Sequence, residues 1–352
     1  MQSPLAEDLD HVLAATGELW RELRGQRVFL TGGTGFFGKW LVESFCWAND
    51  RLQLDARLLV LSRNPQAFSR AMPHLAGRPD LEFLVGDVRD FEFPTVDCSH
   101  VIHAATPSTG LPETGEELYL ADMILAGALR VLEFARECGA KKLLFTSSGA
   151  VYGRQPADVS HVAEDYAGAP DTTDPRTTYG NGKRTAEHFC ALYGAATDIE
   201  IKIARCFAFV GPHLSQDAHF AIGNFIRDGL RGGPIVIQGD GTPLRSYLYA
   251  ADLAVWLWTI LMRGASLRPY NVGSDQALTI ADLAHRVAAA FARPPEVIVK
   301  QQPVPGAAPL RYVPSTERAR GELGLAVGIG LEDAIRRTVR WSLGGQVRAV
   351  PG

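Results

Sequence analysis

The most constraining feature of this sequence is RVFLTGGTGFFGKW at residues 27–40, which places four glycines between an apolar strand-like run and a helix-like run. Gly32, Gly33, Gly35 and Gly38 satisfy both a GxxGxxG and a GxGxxG spacing. Glycine here permits a tight turn, close approach of the backbone to a pyrophosphate, and close packing of helix on strand. The N–H groups that open the following helix favour an anion. Because the strand and helix flank the glycines correctly, we predict a dinucleotide-binding loop.

After this loop, strand-like and helix-like patterns alternate up to about residue 150. Short apolar runs such as RLLVLS, LEFLVGD, HVIHAA and KKLLFTSS are typical of a parallel sheet covered on both faces. The second half adds IEIKIARCF and a mixture of helices and short strands. We therefore predict an α/β fold, a doubly wound parallel sheet (Rossmann) with a smaller C-terminal α+β substrate lobe.

Three units are expected along the chain. Residues 1–25 form a helical extension that packs on the body or on a second subunit. Residues 26–195 form the dinucleotide-binding Rossmann domain. Residues 196–352 contain the last sheet strands, interleaved with the substrate-binding lobe.

Composition narrows the range of partners. The formal net charge is −4 without a dense Lys/Arg run, so we expect no nucleic acid partner. The longest apolar run, LAVWLWTILM at 253–262, is too short to span a bilayer, and the N-terminus lacks the pattern of a signal peptide, so we expect no membrane location. Five scattered cysteines show no CxxC spacing and nine histidines form no HExxH motif, so no metal site is predicted. These features favour the cytoplasm.

The ends of the next predicted strands indicate which residues face the adenosine half of a dinucleotide. The second strand ends in Ser62 and Arg63, where a ribose-binding acid is expected. Arg63 could neutralise the 2′-phosphate of NADP or stack over adenine, and the sequence leaves both open. Asp87 closes the third strand, where a carboxylate could accept the adenine amino group. His103 closes the fourth strand, and we interpret it as structural rather than as a ligand.

A catalytic pair is predicted in TTYGNGK, where Tyr179 and Lys183 lie four residues apart and so share one helix face. An ammonium beside a phenol favours the phenolate, and an oxidised nicotinamide adds positive charge, so Tyr179 can act as a base near neutral pH. The segment FTSSGAVYG ends another predicted strand about 30 residues earlier. A serine hydroxyl there can help to bind the same substrate oxygen.

Together these segments resemble the extended short-chain dehydrogenase/reductases of the sugar-nucleotide epimerase and dehydratase type. The resemblance covers about residues 26–340, through TGGTGFFG, GDV, HAA, SSGAVYG, YxxxK, GP at 211–212 and GDGTPLRSYLYAADLA. It implies that Tyr179 is the acid/base, that Lys183 tunes it and binds the nicotinamide ribose, and that Ser148 hydrogen-bonds the reacting hydroxyl. The implied substrate is a nucleotide-diphosphate sugar. The implied cofactor is NAD, with NADP open because of Ser62 and Arg63.

The resemblance also assigns the remaining contacts. The residues expected to bind the dinucleotide are Gly32, Thr34, Gly35, Phe36, Phe37, Gly38, Ser62, Arg63, Asn64, Asp87, Val88, Ala104, Ala105, Thr106, Tyr179, Lys183 and Cys206. Those expected to bind the substrate are Ser148, Gly149, Ala208, Asn224, Arg245 and Arg311, with the two arginines on the diphosphate. Family members are usually homodimers built from helices near 112–137 and 179–194, and a homodimer is expected here.

The reaction depends on the two positions that follow Ser148. In the family's 4,6-dehydratases they are Asp and Glu, and in its uronic acid decarboxylases a Glu occupies the second, whereas here they are Gly149 and Ala150. Dehydration and decarboxylation are therefore disfavoured. We expect an epimerase that oxidises a sugar hydroxyl, at C4 by preference, and returns hydride to the other face. The alternatives are an NAD(P)H-dependent ketoreductase of a nucleotide-linked keto-deoxysugar and a non-catalytic dinucleotide sensor.

Overall fold

A computed structural model describes residues 3–106, 115–218 and 220–348 of the chain. The ends of the predicted units at residues 1–2 and 349–352 lie outside this range. The helices are α1 (Ala6–Thr16), α2 (Phe36–Leu52), α3 (Pro65–Ala71), α4 (Glu117–Glu137), α5 (Thr178–Ala196), α6 (Ala221–Leu230), α7 (Ala250–Arg263), α8 (Ile280–Ala289), α9 (Glu317–Leu323) and α10 (Leu331–Arg348). Short 3-10 helices span Leu19–Leu23, Gly149–Tyr152 and Pro175–Thr177.

The strands divide between one large sheet and several small ones. They are β1 (Arg27–Thr31), β2 (Arg57–Ser62), β3 (Leu81–Val85), β4 (His100–His103), β5 (Lys142–Ser148), β6 (Glu200–Cys206), β7 (Phe209–Val210), β8 (Ile235–Ile237), β9 (Leu244–Arg245), β10 (Leu248–Tyr249), β11 (Pro269–Val272), β12 (Leu278–Thr279), β13 (Val297–Val299) and β14 (Arg311–Tyr312). The large sheet has seven strands in the order β11-β6-β5-β4-β1-β2-β3. All of its pairings are parallel.

The order in which the chain adds strands to this sheet reverses at β1. The strands β2 and β3 lie on one side of β1, and β4 to β6 lie on the other. At such a switch point the loops at the carboxyl ends separate and leave a crevice for a ligand. The observed order confirms the predicted doubly wound fold. The seventh strand, β11, was not predicted, because PYNV is too short to show a clear apolar pattern.

The strands are almost continuously apolar because helices cover both faces. Phe29 of β1 packs on Phe134 of α4, with ring centroids 4.5 Å apart. The next residue, Leu30, belongs to the opposite core, which also contains Trp40 of α2 and Trp258 of α7. Successive residues of one strand therefore anchor two separate helical layers.

The N-terminal extension packs on the body of its own chain. Leu9 and Trp20 are almost fully buried. The Trp20 ring lies 4.7 Å from the ring of Trp258 on α7. The carboxylate of Asp8 accepts hydrogen bonds from the Tyr249 hydroxyl at 2.7 Å and from Arg337 at 2.6 Å. These contacts join α1 to the last helix of the chain, so the extension is part of the fold.

The smaller sheets belong to the second half of the chain. β8 pairs with β13, and β9 lies between β12 and β14. The division of the chain at residue 195 stays a prediction.

All five cysteines are free and buried. None of the described helices has the length and apolar character needed to cross a membrane.

Candidate active site

The glycine loop follows β1 and leads into α2, as predicted, and its glycines are required for different reasons. Gly32 has φ +74°, and a Cβ there would lie 2.5 Å from the carbonyl of Ala104. A Cβ on Gly38 would lie 2.1 Å from the oxygen of Gly32. These two glycines therefore allow the loop to pack on the end of β4 and on its own helix. A Cβ on Gly35 would come no closer than 3.4 Å to the protein, so Gly35 borders open space.

This loop fits the pyrophosphate of a dinucleotide. Within the described parts of the chain, no side chain caps the N-terminus of α2, whose N-cap is Gly35. The first-turn N–H groups are therefore free to bind an anion, and the helix dipole favours negative charge there. Phe37 holds the start of the helix against β7, with its ring 5.0 Å from that of Phe209.

The residues predicted to face adenosine follow β2 and β3, which are neighbouring strands. The Asn64 side chain caps α3 by accepting the N–H of Ala67 at 3.0 Å, and Ser62 accepts the N–H of Asn64 at 3.2 Å. Arg63 is exposed. Hydrogen bonds from Arg89 lower the pKa of Asp87, and the charge of Arg63 acts in the same direction. Arg63 and Asp87 thus follow neighbouring strands at the same edge of the sheet.

The end of β4 supplies the loop beside the glycines. His103 lies inside the sheet, with Nδ1 2.8 Å from Oγ1 of Thr31. Burial lowers the pKa of His103 to about 3. The N–H of Ala105 donates to the same threonine hydroxyl at 3.2 Å. This geometry gives His103 a structural position, as the sequence indicated.

The predicted catalytic residues meet at the carboxyl ends of β5 and β6. Ser148 ends β5 and is paired in register with Cys206, which ends β6. α5 carries Tyr179 and Lys183. The Lys183 ammonium donates to Oγ1 of Thr106 at 2.7 Å and to the carbonyl of Thr146 at 2.8 Å. Lys183 thus joins α5 to the loop that follows β4.

Electrostatics at this site differ from the sequence-based expectation. Burial raises the pKa of Tyr179 to about 12, although the Ser148 hydroxyl opposes the change. Burial also lowers the pKa of Lys183 to about 8. Desolvation disfavours both charged forms, and Lys183 is not among the groups that shift the pKa of Tyr179 in the protein alone. A phenolate at neutral pH therefore requires additional positive charge.

A buried ion pair fixes α5 against the sheet. Glu187 lies one helical turn after Lys183, and its carboxylate accepts from Arg205 of β6 at 2.7 Å. The same carboxylate accepts from the Ser147 hydroxyl at 2.5 Å. Arg205 also donates to the Tyr152 hydroxyl at 3.0 Å. This network was not predicted from the sequence, although Glu187 continues the helix face of Tyr179 and Lys183.

The space beside Gly149 is filled by aromatic side chains. A Cβ on Gly149 would lie 2.6 Å from the ring of Phe207 and 2.8 Å from the hydroxyl oxygen of Tyr312. That hydroxyl lies 3.5 Å from Oγ of Ser148. Tyr312 was not predicted either, and its one sequence signal is its position next to Arg311.

The remaining substrate residues are less closely grouped. Arg245 lies 5.8 Å from the ring of Tyr312, and the two residues are paired across β9 and β14. Because side chains alternate along a strand, Tyr312 shares the face of Arg245 and Arg311 does not. Asn224 lies on α6, where its amide oxygen accepts from Arg227 at 3.1 Å. In the described ranges no hydrogen bond joins Asn224 or Arg311 to Ser148, Tyr179 or Lys183, so their roles stay predictions.

The switch-point crevice, the open glycine loop and the Ser–Tyr–Lys group together define a short-chain dehydrogenase/reductase of the extended, sugar-nucleotide type. No group of three or more metal-binding side chains occurs in the described residues. The chain belongs to the NAD dependent epimerase/dehydratase family, whose model matches residues 28–273.

Individual relatives carry different activities. The UDP-glucuronic acid decarboxylase 2 of Arabidopsis thaliana is 28% identical over 341 residues, which are 96% of this chain and 74% of that protein. The UDP-glucose 4-epimerase of Thermus thermophilus, solved with NAD, is 26% identical with a TM-score of 0.71, covering 92% of this chain and 100% of that one. An epimerase of Methanothermobacter thermautotrophicus has a TM-score of 0.78 and covers 98% of both chains, but at 21% identity it shows the fold alone.

Proposed function

We propose that the protein is a nucleotide-sugar epimerase that transiently oxidises a sugar hydroxyl to a ketone. The carbon that we propose for this oxidation is C4. The observation that carries this proposal is the assembled group of Ser148, Tyr179 and Lys183 beside a position that holds no carboxylate. Gly149 has no room for a side chain, because Phe207 and Tyr312 fill the space. An acid at position 149 that would assist elimination is therefore excluded, and position 150, where the family's decarboxylases carry Glu, is Ala150 here. Reduction of the ketone is the step that remains.

In this reaction each residue has a definite task. Tyr179 accepts the proton of the reacting hydroxyl and later returns it, while Ser148 hydrogen-bonds the same oxygen. Lys183 uses two of its three N–H groups on Thr106 and Thr146, and the third would hold the nicotinamide ribose. NAD, when bound, supplies the hydride acceptor and then the hydride donor. Its positive nicotinamide would also favour the phenolate form of Tyr179.

The substrate class we propose is a nucleotide-diphosphate sugar. Across the described ranges no carboxylate lies within ion-pair distance of the guanidinium of Arg245 or of Arg311, so both stay available for phosphate oxygens. The relatives support the same class, since one solved neighbour, the Thermotoga maritima UDP-glucose 4-epimerase, was crystallised with UDP-glucose. Arg63 keeps NADP open as the cofactor, because it is exposed where a 2′-phosphate would lie.

Identification of the dinucleotide is the first test. The purified protein is denatured, and any released dinucleotide is identified by mass and by absorbance near 340 nm. Stoichiometric NAD supports a cofactor that is recycled within each turnover. Empty protein that binds NADPH tightly would favour the ketoreductase, with Arg63 as the next residue to replace.

Turnover is the second test. The protein is incubated with UDP-, dTDP-, CDP- and GDP-sugars, and products are separated by chromatography with mass detection. An epimerase gives a product of unchanged mass without net change in cofactor. Replacement of Tyr179 by Phe lowers kcat by about 1,000-fold and leaves sugar-nucleotide binding intact. A variant with undiminished turnover would contradict the assignment of Tyr179.

Decarboxylation is a second candidate, because the Arabidopsis relative carries that name. UDP-glucuronic acid is the diagnostic substrate. Release of carbon dioxide and a UDP-pentose would establish the decarboxylase and exclude the epimerase as the main activity. The absence of a carboxylate at Ala150 predicts that this reaction is not observed.

We further propose a homodimer through α4 and α5. Leu118 is 84% exposed, and Tyr119 and Leu192 are also well exposed on these helices. Exposed apolar side chains on neighbouring helices are typical of a buried interface. Residues 112–114 of the first predicted dimer helix lie outside the described residues. Light scattering after size-exclusion chromatography decides between dimer and monomer.

The cytoplasmic location of the protein stays a prediction.

A further inference from the structure

We propose that Tyr312 is a second hydroxyl of the active site, which positions Ser148 and shares with it the reacting oxygen of the sugar. This inference rests on the proposed epimerase function and adds a residue to it. Tyr312 is separated from Ser148 by 164 positions in the chain. It comes from β14, in the small sheets of the second half.

The ring of Tyr312 packs against one side chain and lies near a second. Strand pairing sets Tyr312 opposite Arg245, and the guanidinium carbon lies 5.8 Å from the ring centroid. The ring of Phe207 packs against the same phenol at a centroid distance of 4.7 Å. These contacts fix the phenol, and its hydroxyl is directed at the end of β5.

The hydroxyls of Tyr312 and Ser148 are close enough to share one substrate atom. Their oxygens are 3.5 Å apart, which is too long for a strong hydrogen bond. A single substrate oxygen can nevertheless lie about 2.8 Å from both of them, because the two oxygens are closer together than twice that distance. Ser148 already accepts the N–H of Ala150 at 3.1 Å, which orients its remaining donor and acceptor sites.

Gly149 and Tyr312 are complementary in space. The hydroxyl of Tyr312 lies 2.8 Å from the place of a Cβ on Gly149. A side chain at position 149 and a tyrosine at position 312 therefore compete for one space. In this chain the strand β14 supplies the polar group that residue 149 lacks.

The charge state of Tyr312 suits a hydrogen-bond donor. Burial raises the pKa of Tyr312 further than the neighbouring Ser148 hydroxyl can lower it. Tyr312 therefore stays protonated at neutral pH and acts as a hydrogen-bond donor, not as a second base. A neutral donor aimed at the sugar oxygen stabilises that oxygen while its proton is held by Tyr179.

The test compares Tyr312→Phe with Tyr270→Phe. Tyr270 is also a buried tyrosine, whose hydroxyl donates to Glu322 at 2.9 Å and which lies on β11, outside the site. For Tyr312→Phe we expect kcat to fall about 10- to 100-fold with KM changed less than about threefold. Calorimetry with the sugar nucleotide and the thermal midpoint should match wild type. The Tyr270 control should keep the wild-type kcat.

A second readout is the absorbance near 340 nm under saturating sugar nucleotide. If Tyr312 stabilises the ketone oxygen, the fraction of reduced cofactor at the steady state should be smaller in Tyr312→Phe than in wild type. Unchanged kcat in an active protein would overturn this inference and leave the epimerase intact. A parallel fall in kcat, sugar binding and thermal midpoint would also overturn it, because it would indicate a packing role. Wild-type protein that converts no sugar nucleotide would instead overturn the proposed function.

Discussion

Replacement of Lys183 by Met should remove activity and, at neutral pH, stabilise the fold. The Lys183 side chain is 2% exposed and makes no ion pair among the described residues. Burial lowers its pKa from 10.5 to about 8. Between these values the unfolded chain binds a proton that the folded protein does not, so stability rises with pH across this window. Holding the ammonium in the folded protein at pH 7 therefore costs about 3 kcal/mol.

The magnitude follows from these values and the two hydrogen bonds. Met removes the charge, but Thr106 and Thr146 lose their donor, at about 1 kcal/mol each. The free energy of unfolding should rise by about 1 kcal/mol at pH 7. Raising the pH to about 9.5 relieves about 2 kcal/mol of the charge penalty in wild type only. At that pH the wild type should have the larger free energy of unfolding, the reverse of the order at pH 7.

Urea unfolding of both proteins, stripped of dinucleotide, measures this difference at each pH. Other titrating groups are common to both proteins and cancel. The matched control is Lys202→Met, because Lys202 is equally buried but ion-paired with Glu200. The carboxylate of Glu200 is 53% exposed, so water can solvate it after the substitution, and the free energy of unfolding should change by less than about 1 kcal/mol. A Lys183→Met difference that does not vary with pH would refute the reasoning.

Two further predictions concern the loop and the extension. The Gly38→Ala variant should unfold at a lower urea concentration than wild type, because its Cβ would lie 2.1 Å from the Gly32 oxygen. The Gly35→Ala variant should fold normally but bind NAD more weakly, as measured by calorimetry. Equal stability of the two variants would contradict the separate roles assigned to these glycines. Trp20→Ala should lower the free energy of unfolding by about 3–5 kcal/mol, measured by circular dichroism, since the ring is buried against Trp258. A loss below about 1 kcal/mol would mean that the extension is a loosely attached segment.

Local sequence determined the parts of this protein that depend on neighbouring residues. The apolar runs of β1 to β6 specify buried parallel strands, and the glycine spacing specifies the turn into α2. The four-residue spacing of Tyr179 and Lys183 is fixed by helix geometry. Each of these patterns fits within about 20 residues, where the period of the backbone decides which side chains share a face.

Tertiary structure alone decided the surroundings of those residues. The phenol of Tyr312 reaches Ser148 across 164 positions, and Arg205 reaches Glu187 from a different strand. The pKa of Tyr179 was expected to fall beside Lys183, but burial raises it to about 12. Desolvation and packing depend on every group that surrounds a side chain in space. No local pattern contains that information, so the sequence predicted the catalytic residues while the fold set their charge states and their neighbours.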